Sequence, residues 1–241
     1  MIGEKTVTDK TAVFELGTFA KTLRDQCRRP TGRMGRFTLW RMNWSHSRLT
    51  DWGLAKISIE PHSKILDVGC GGGRTVSKLA AIATQGQVCG IDYSEESVAV
   101  SKKNNAGWID IGRVEIRQGS VSQLPFPDDV FDLVTAVETH YFWPDLAADT
   151  REVFRVLKPG GALILIAEAY KGAKTAAAKL AEKYLPLAGM TLLSVDEHRE
   201  LFTTAGYSDV RVIEEPAKGW ICCIGRKPPK DSFSDNTPER V

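Results

Sequence analysis

Residues 64–75 read KILDVGCGGGRT, an apolar run that leads into a glycine-rich turn and then into helix-forming residues. The apolar run predicts a buried strand, and Gly69, Gly71 and Gly73 let the chain turn tightly after it. Because glycine has no Cβ atom, a ligand can lie against the backbone of this turn, where it faces the positive end of the following helix. We therefore predict a strand, loop and helix that bind a nucleotide-type cofactor, with Asp67 as a carboxylate at the strand end.

The residues around the loop decide which cofactor it suits. A dinucleotide-binding loop carries a third glycine, as G-x-G-x-x-G, whereas this chain has Arg74 at that position. An NAD-dependent oxidoreductase is therefore a distant alternative. A second carboxylate, Asp92, ends the apolar run at residues 88–92, where such folds hold ribose hydroxyls. We predict that Asp92 binds a ribose.

From residue 64 onward, strand and helix patterns alternate, which predicts a parallel sheet covered by helices on both faces. Strands are predicted at residues 65–68, 88–91, 114–117, 131–137 and 162–167, with closing strands at 210–214 and 220–225; helices are predicted at residues 76–83, 95–104 and 146–157. Open sheets bind ligands beyond the carboxyl ends of their strands. This rule places Asp67, Asp92, Ser120 and Glu138 on one rim.

Beyond the glycine loop, four segments make the chain resemble the class I S-adenosylmethionine (SAM) dependent methyltransferases. They lie at residues 91–94, 119–134, 138–145 and 157–166. The resemblance covers roughly residues 57–227 and is strongest to the type 11 branch, which includes the ubiquinone and menaquinone C-methyltransferases. It implies an α/β fold with a Rossmann-like seven-stranded sheet. That sheet would be mostly parallel with an antiparallel closing strand, helices on both faces and an N-terminal helical lid.

The resemblance also implies SAM as cofactor and S-adenosylhomocysteine as its product. The cofactor-binding residues that it implies are Asp67, Gly69, Cys70, Gly71, Asp92, Tyr93, Ser120, Val121 and Glu138. The chain departs from the family at Ser120, where many relatives carry an acidic residue that accepts a hydrogen bond from the adenine amino group. A serine hydroxyl can accept that bond, but without the added strength of a charge.

The loop after the fourth predicted strand supplies candidate catalytic residues. We expect His140, whose imidazole titrates near neutral pH, to lie over the methyl position, with Tyr141 and His46 as further candidates. A purely structural role is the alternative for each of them. The residues expected to line the acceptor pocket are Trp40, Met42, Asn43, Trp143 and Glu168. For Glu168, binding an amine, acting as a base and capping a helix are all open.

The 241 residues, 42% of them hydrophobic, can bury one substantial core, so we predict one core domain with additions. Residues 1–56 are predicted to form an N-terminal helical extension or lid, and residues 57–227 the cofactor-binding core. Residues 170–195 are predicted to be a cap insertion within that core, and residues 228–241 a flexible tail. The lid and the cap are the segments expected to select the methyl acceptor.

The predicted lid is basic between Lys21 and Arg48, a stretch that contains eight basic residues and a single acidic one, Asp25. Three interpretations are open: a solvated helix face, a site for an anionic substrate, or a contact with the phosphates of RNA or a membrane surface. The formal net charge of the whole chain is +2 and favours none of them.

The five cysteines are odd in number and lack the spacing of zinc sites, so the sequence predicts reduced thiols and no metal site. The first residues lack a signal-peptide pattern, and apolar runs stay well short of a membrane span. We expect a soluble cytoplasmic protein without a transmembrane segment.

The sequence therefore predicts a methyltransferase that moves the methyl group of SAM to a small molecule by in-line displacement. One alternative is an RNA or protein methyltransferase that docks through the basic segment, although the run from Glu138 to Tyr141 lacks the motif typical of base N-methylation. Another is a non-catalytic SAM-binding partner subunit or sensor. The sequence leaves open the acceptor, its reacting atom (O, N, C or S), the oligomeric state and any motion of the lid.

Overall fold

The computed structural model describes residues 46–230. Its strands are β1 (Lys64–Val68), β2 (Gln87–Asp92), β3 (Val114–Gln118), β4 (Phe131–Val137), β5 (Leu157–Ala167), β6 (Ser208–Glu215) and β7 (Trp220–Arg226). Its α-helices are α1 (Ser47–Leu54), α2 (Arg74–Ile82), α3 (Glu95–Asn104), α4 (Ala106–Asp110), α5 (Leu146–Val156), α6 (Ala176–Tyr184) and α7 (Val195–Thr204). Two short 3-10 helices occupy His140–Phe142 and Pro186–Ala188.

The strands form one seven-stranded sheet in the order β3-β2-β1-β4-β5-β7-β6. Strands β1 to β5 pair in parallel, and β7 runs antiparallel to both β5 and β6. The predicted mostly parallel sheet with an antiparallel closing strand is confirmed. From β1 the chain adds β2 and β3 on one side of the sheet and then crosses to the other side to add β4 and β5. At such a switch point, a crevice opens at the carboxyl ends of the two central strands, β1 and β4.

Alternate residues of the central strands feed two separate cores, one on each face of the sheet. In β1, Leu66 packs with the core that contains α5 and α7, whereas Ile65 packs with the core that contains α1, α2 and α3. In β5, Leu165 and Ile166 divide in the same way. Strands buried on both faces read as continuous apolar runs, which is why the sequence predicted them and the helices on both faces.

Most helices begin at a side chain that accepts a backbone hydrogen bond. Ser94, Asp145 and Thr175 cap α3, α5 and α6, and Ser194 forms a reciprocal capping box with Glu197 at the start of α7. Helix α2 differs, because it begins directly after the glycine loop and has no side-chain cap. Its first backbone N–H groups are thus the ones that a ligand in the loop would meet.

The turn into β5 is built differently from the expected helix followed by a strand at residue 162. Helix α5 ends at Val156 and the strand already begins at Leu157, which pairs with Phe131 before the register shifts. Gly160 (φ +82°) takes a left-handed conformation, and a Cβ atom at Gly161 would lie 2.9 Å from the carbonyl oxygen of Phe131. The two glycines therefore let β5 stay paired with β4 through the register shift between Phe131 and Leu133.

Helix α1 is the described part of the predicted lid, and it packs tightly on the sheet. Leu49 and Leu54 are buried, and a Cβ atom at Gly53 would lie 2.3 Å from the side chain of Ile166. The rest of the predicted lid and most of the predicted tail lie outside the described residues, and the division into lid, core, cap and tail stays a prediction. In residues 46–230, every helix is too short or too polar to cross a membrane.

Candidate functional site

A cavity of about 350 Å³ opens at the carboxyl ends of β1, β2 and β4, the position that the sheet topology predicts. Its volume lies within the range typical of small-molecule sites. The residues that line it come from the glycine loop, from the ends of β1 to β4 and the loops that follow them, and from α1, α2 and α3. They are His46, Thr50, Asp67, Val68, Gly69, Cys70, Gly71, Gly72, Arg74, Thr75, Ile91, Asp92, Tyr93, Ser97, Gly119, Ser120, Val121, Val137, Glu138, Thr139, Phe142, Trp143 and Pro144.

The glycine loop forms one wall of the cavity with its backbone. Gly69, Gly71 and Gly73 have φ values of +72°, +51° and +79°, a left-handed conformation that other residues adopt at a cost. A Cβ atom at Gly69 would lie 2.2 Å from Oγ1 of Thr139, which comes from the loop after β4. The loop therefore needs glycine both for its backbone conformation and for the close approach of a neighbouring segment.

Asp92 ends β2 and is tied to the glycine loop. Its Oδ2 accepts a hydrogen bond of 2.8 Å from the backbone N–H of Gly71, and its Oδ1 accepts one of 2.8 Å from that of Ser94. Burial raises the pKa of Asp92, and the two backbone hydrogen bonds oppose that rise. Since each carboxylate oxygen can accept two hydrogen bonds, Asp92 retains capacity for ligand hydroxyls.

Asp67 ends its strand as a buried carboxyl group, only 2% exposed. Thr135, its register partner on β4, donates a hydrogen bond of 2.6 Å to Oδ1 of Asp67. Burial raises the pKa of Asp67 to about 7, the hydrogen bond from Thr135 lowers it, and the negative charge of Asp92 raises it further. The cavity floor therefore holds a carboxyl group whose charge depends on what lies beside it.

The wall beyond β2 and β3 is mixed in character. Tyr93 keeps 55% of its surface exposed while lining the cavity, and Ser120 and Val121 stand beside it after β3. The Cys70 thiol is buried and points to Oγ of Ser101 at 3.8 Å, and burial raises its pKa well above its usual range. Cys70 is therefore held as a neutral thiol and is no nucleophile.

On the opposite side, Glu138 follows β4 with φ +58°, an uncommon conformation for a residue other than glycine. Its Oε1 accepts hydrogen bonds from the hydroxyl of Tyr141 (3.3 Å) and from the backbone N–H of Glu168. Burial raises the pKa of Glu138 to about 7, and the charge of Glu168 raises it further, while His46 lowers it. Both hydrogen bonds fall on Oε1, so Oε2 is the oxygen left for a ligand.

Glu168 follows β5 and lies beside Glu138, and His46 stands just before α1. Nε2 of His46 lies 3.6 Å from Oε1 of Glu168, and this contact lowers the pKa of Glu168. One ligand atom from each of His46, Glu138 and Glu168 lies within 4.8 Å of the others. We call these three residues the rim triad.

The structure places His140 away from the cavity, contrary to the expectation that it lies over the methyl position. Its ring is fully buried between Tyr141 (ring centroids 4.1 Å apart) and His198 of α7 (5.5 Å apart). Neither ring nitrogen has a hydrogen-bond partner, and burial, reinforced by His198, lowers the pKa of His140 well below its usual range. The 3-10 turn at His140–Phe142 directs this side chain into the core and Phe142 into the cavity wall.

The other expected acceptor-side residues divide into three groups. Tyr141 is buried, and its hydroxyl donates a hydrogen bond of 3.3 Å to Oε1 of Glu138. Trp143 lines the cavity. Trp40, Met42 and Asn43 lie outside the described residues, as does most of the basic segment between Lys21 and Arg48.

Several site residues were not among the predicted ones. Thr135 carries a signal in retrospect, since a polar residue in a buried apolar strand needs a partner, but only the strand register shows that the partner is Asp67. Thr139 belongs to the site because its side chain lies against Gly69, and no spacing rule in the sequence predicts that approach. Thr50 of α1 and Pro144, which follows the 3-10 turn, complete the wall. They were missed because their position depends on how α1 and this turn pack on the sheet.

Comparison with known proteins identifies the central part of the chain. Residues 66–165 match the model of a family described as a methyltransferase domain. A demethylmenaquinone methyltransferase of Bacillus cereus (strain AH187) is 36% identical over 111 residues, which are 46% of this chain and 46% of that protein. A Bacillus anthracis protein of the same name matches equally well. The chain thus spans about half the length of the curated relatives that it matches.

Solved structures extend the likeness of the fold over most of the chain. The phosphoethanolamine N-methyltransferase 2 of Haemonchus contortus, solved with SAM, has a TM-score of 0.66 and 16% identity, covering 79% of this chain and 56% of that chain. A SAM-dependent methyltransferase from Aquifex aeolicus has a TM-score of 0.64 and 21% identity, covering 78% and 96%.

A third neighbour limits what the fold alone can say. The [4+2]-cyclase SpnF has a TM-score of 0.61 and 22% identity, covering 76% of this chain and 81% of that chain. Because a cyclase shares the fold, the likeness of the structures does not by itself define the reaction. The family model assigns residues 66–165 to a methyltransferase domain, and the solved structures show the fold that the described chain shares with SAM-dependent methyltransferases.

Proposed function

We propose that this protein transfers a methyl group from SAM to a small-molecule acceptor. The observation that carries the proposal is the convergence of a left-handed glycine loop and two carboxyl groups, Asp67 and Asp92, on one cavity at the switch point of the sheet. The matched family model and the SAM complexes among the structural neighbours support the same cofactor.

The residues present fit SAM. The cradle at Gly69 and Gly71 lacks Cβ atoms, and it leads into the uncapped start of α2. Asp92 is fixed by two backbone N–H groups and can still accept hydrogen bonds from ribose hydroxyls. Tyr93 and Val121 offer apolar surface for a flat base, and Ser120 offers a hydroxyl. Asp67 supplies a carboxylate for a cationic group, since a nearby positive charge favours its ionised form.

When bound, SAM supplies a methyl group that is already activated by a positively charged sulfur. The protein's part is to align the acceptor with that methyl group and to keep water out. Phe142, Trp143 and Pro144 form an apolar wall on the acceptor side that can exclude water. For an acceptor with a proton to lose, Glu138 and His46 stand in the same cavity and can receive it.

A small-molecule acceptor is supported by the volume of the cavity, about 350 Å³, which is that of a small-molecule site. The curated relatives are named demethylmenaquinone methyltransferases, which is in keeping with an acceptor of limited size. Docking of RNA or protein through the basic N-terminal segment is the alternative, and that segment lies largely outside the described residues.

The test is the transfer of label from methyl-labelled SAM into an extract of the source cells, fractionated into small molecules, RNA and protein. We expect label in the small-molecule fraction together with formation of S-adenosylhomocysteine. Asp92→Ala should abolish most of this transfer, whereas Asp110→Ala, an exposed carboxylate at the end of α4, should leave it unchanged.

Other distributions of the label would contradict the proposal in distinct ways. Label in RNA or protein would assign the basic segment a docking role. Binding of SAM without transfer into any fraction would instead favour a non-catalytic SAM-binding subunit or sensor.

A further inference from the structure

We propose that the rim triad (His46, Glu138 and Glu168) is a binding site for a divalent metal ion of the Mn²⁺ type. The three side chains come from three separate parts of the fold: the turn before α1, the end of β4 and the end of β5. One ligand atom of each lies within 4.8 Å of the other two. Ligand atoms bound to one ion lie about 3 to 4 Å apart, given metal–ligand bonds of about 2.1 Å, so small side-chain movements would complete the site.

Two carboxylates side by side repel each other unless a cation lies between them. Glu138 is nevertheless held in this position by the fold. Its backbone N–H donates to the carbonyl oxygen of Ile166 (2.9 Å), and Oε1 accepts from Tyr141 and from the backbone of Glu168. Metal-binding carboxylates are typically oriented by such outer hydrogen bonds. His46 offsets part of the repulsion between the two carboxylates, and a bound dication would offset more of it.

The imidazole of His46 sets this cluster apart from a group of acids. Nε2 of His46 lies 3.6 Å from Oε1 of Glu168, a spacing close to that of neighbouring ligands on one metal ion. One imidazole nitrogen and two carboxylate oxygens form a mixed donor set that suits first-row divalent ions such as Mn²⁺, Fe²⁺ or Zn²⁺. Three protein ligands also leave coordination positions open, as in catalytic metal sites.

The open positions have an evident use, because His46 and Glu138 line the cavity. An acceptor with an ionisable hydroxyl could bind the ion through its oxygen, and the positive charge would favour the deprotonated form. The O–H proton then leaves to water, the oxygen forms the new O–C bond, and the C–S bond of SAM breaks with its electron pair on sulfur. In this arrangement the rim triad serves as ligands rather than as bases. This extension to the acceptor rests on the proposed methyltransferase function, whereas the metal site itself does not.

The test is titration of the untagged full chain with Mn²⁺ alone, followed by electron paramagnetic resonance of the free ion. Mn²⁺ prefers nitrogen and oxygen ligands, so the cysteine thiols do not compete for it. We expect one saturable site per chain. Glu138→Gln, Glu168→Gln and His46→Gln should each weaken Mn²⁺ binding at least about tenfold. Glu60→Gln is the matched control, because this exposed carboxylate precedes β1 and so lies at the opposite edge of the sheet.

Circular dichroism melting and SAM titration of the same variants separate loss of the site from loss of the fold. A wild-type chain without stoichiometric Mn²⁺ binding would overturn the proposal. So would Mn²⁺ binding that all three substitutions leave unchanged, because the ion would then lie elsewhere. If Mn²⁺ binds but SAM does not, the metal site stands and the proposed methyl transfer fails. If SAM binds but Mn²⁺ does not, the proposed methyl transfer stands and the proposed metal site is wrong.

The acceptor role has its own measurement. Removal of metal with EDTA should lower label transfer at least about tenfold, and Mn²⁺ should restore it in the wild type but not in Glu168→Gln. Transfer that is indifferent to EDTA would confine the ion to a structural role.

Discussion

The two sides of the cavity are built on different principles. The proposed cofactor side consists of the glycine loop and Asp92, 21 residues after Gly71, and its geometry is fixed by backbone conformation and backbone hydrogen bonds. The proposed acceptor side includes the rim triad, whose members lie far apart in the sequence and meet only in the folded chain. The difference teaches that one side of a cavity can be built from a local motif, while the other side depends on tertiary structure.

The strongest way to break the cofactor side is to add one methyl group to the loop. Gly69→Ala should lower SAM affinity more than about 100-fold, because it combines the cost of a left-handed alanine with a collision with Thr139. Gly112→Ala is the matched control, since Gly112 has φ +73° but open space around it. It should cost about 1 kcal/mol of stability and leave SAM affinity unchanged. Calorimetric SAM titration measures both variants, and wild-type SAM affinity in Gly69→Ala would show that the loop tolerates the added methyl group.

Removal of one charged acceptor should have the next largest effect. Asp92→Ala should weaken SAM binding by about 1.5 to 3 kcal/mol, because ribose hydroxyls lose a charged partner and the N–H groups of Gly71 and Ser94 lose theirs. Asp110→Ala serves as the control in the same titration. SAM affinity that is unaffected by Asp92→Ala would remove this residue from the cofactor site.

A pH titration sharpens the comparison through Asp67. Without cofactor, this carboxyl group takes up a proton as the pH falls through about 7. A cationic ligand binds the ionised form, so SAM affinity should rise several-fold from pH 6 to pH 8 and then level off. The same series with Asp67→Asn corrects for titration of SAM itself and should be flatter. Parallel profiles for both proteins would show that Asp67 does not face a cationic part of the cofactor.

The smallest effect is expected at His140. Because both ring nitrogens lack partners in the core, His140→Phe should change the free energy of unfolding by less than about 1 kcal/mol. SAM affinity and label transfer should stay within about twofold of the wild type. Thermal melting and the transfer assay are the measurements, and a large loss of turnover with unchanged affinity would restore His140 as a catalytic residue.

The sequence predicted the sheet, its antiparallel closing strand and the convergence of the glycine loop and Asp92 on one rim, because buried apolar runs and glycines act locally. The rest depends on contacts between distant residues. The role of Thr135 follows from its register partner Asp67 across two strands. His140 and Phe142 are two residues apart, and only the hand of a 3-10 turn decides which one faces the cavity.

His46 and Lys227 lie at opposite edges of the sheet. His46 stands at the mouth of the cavity, beside the carboxyl ends of the strands. Lys227 is anchored at the far edge, where its backbone N–H donates to Gly161 (2.8 Å) and its Nζ donates to Asp129 (2.8 Å). A fluorophore, affinity handle or fused carrier attached beyond Lys227 would therefore start from the edge away from the cavity.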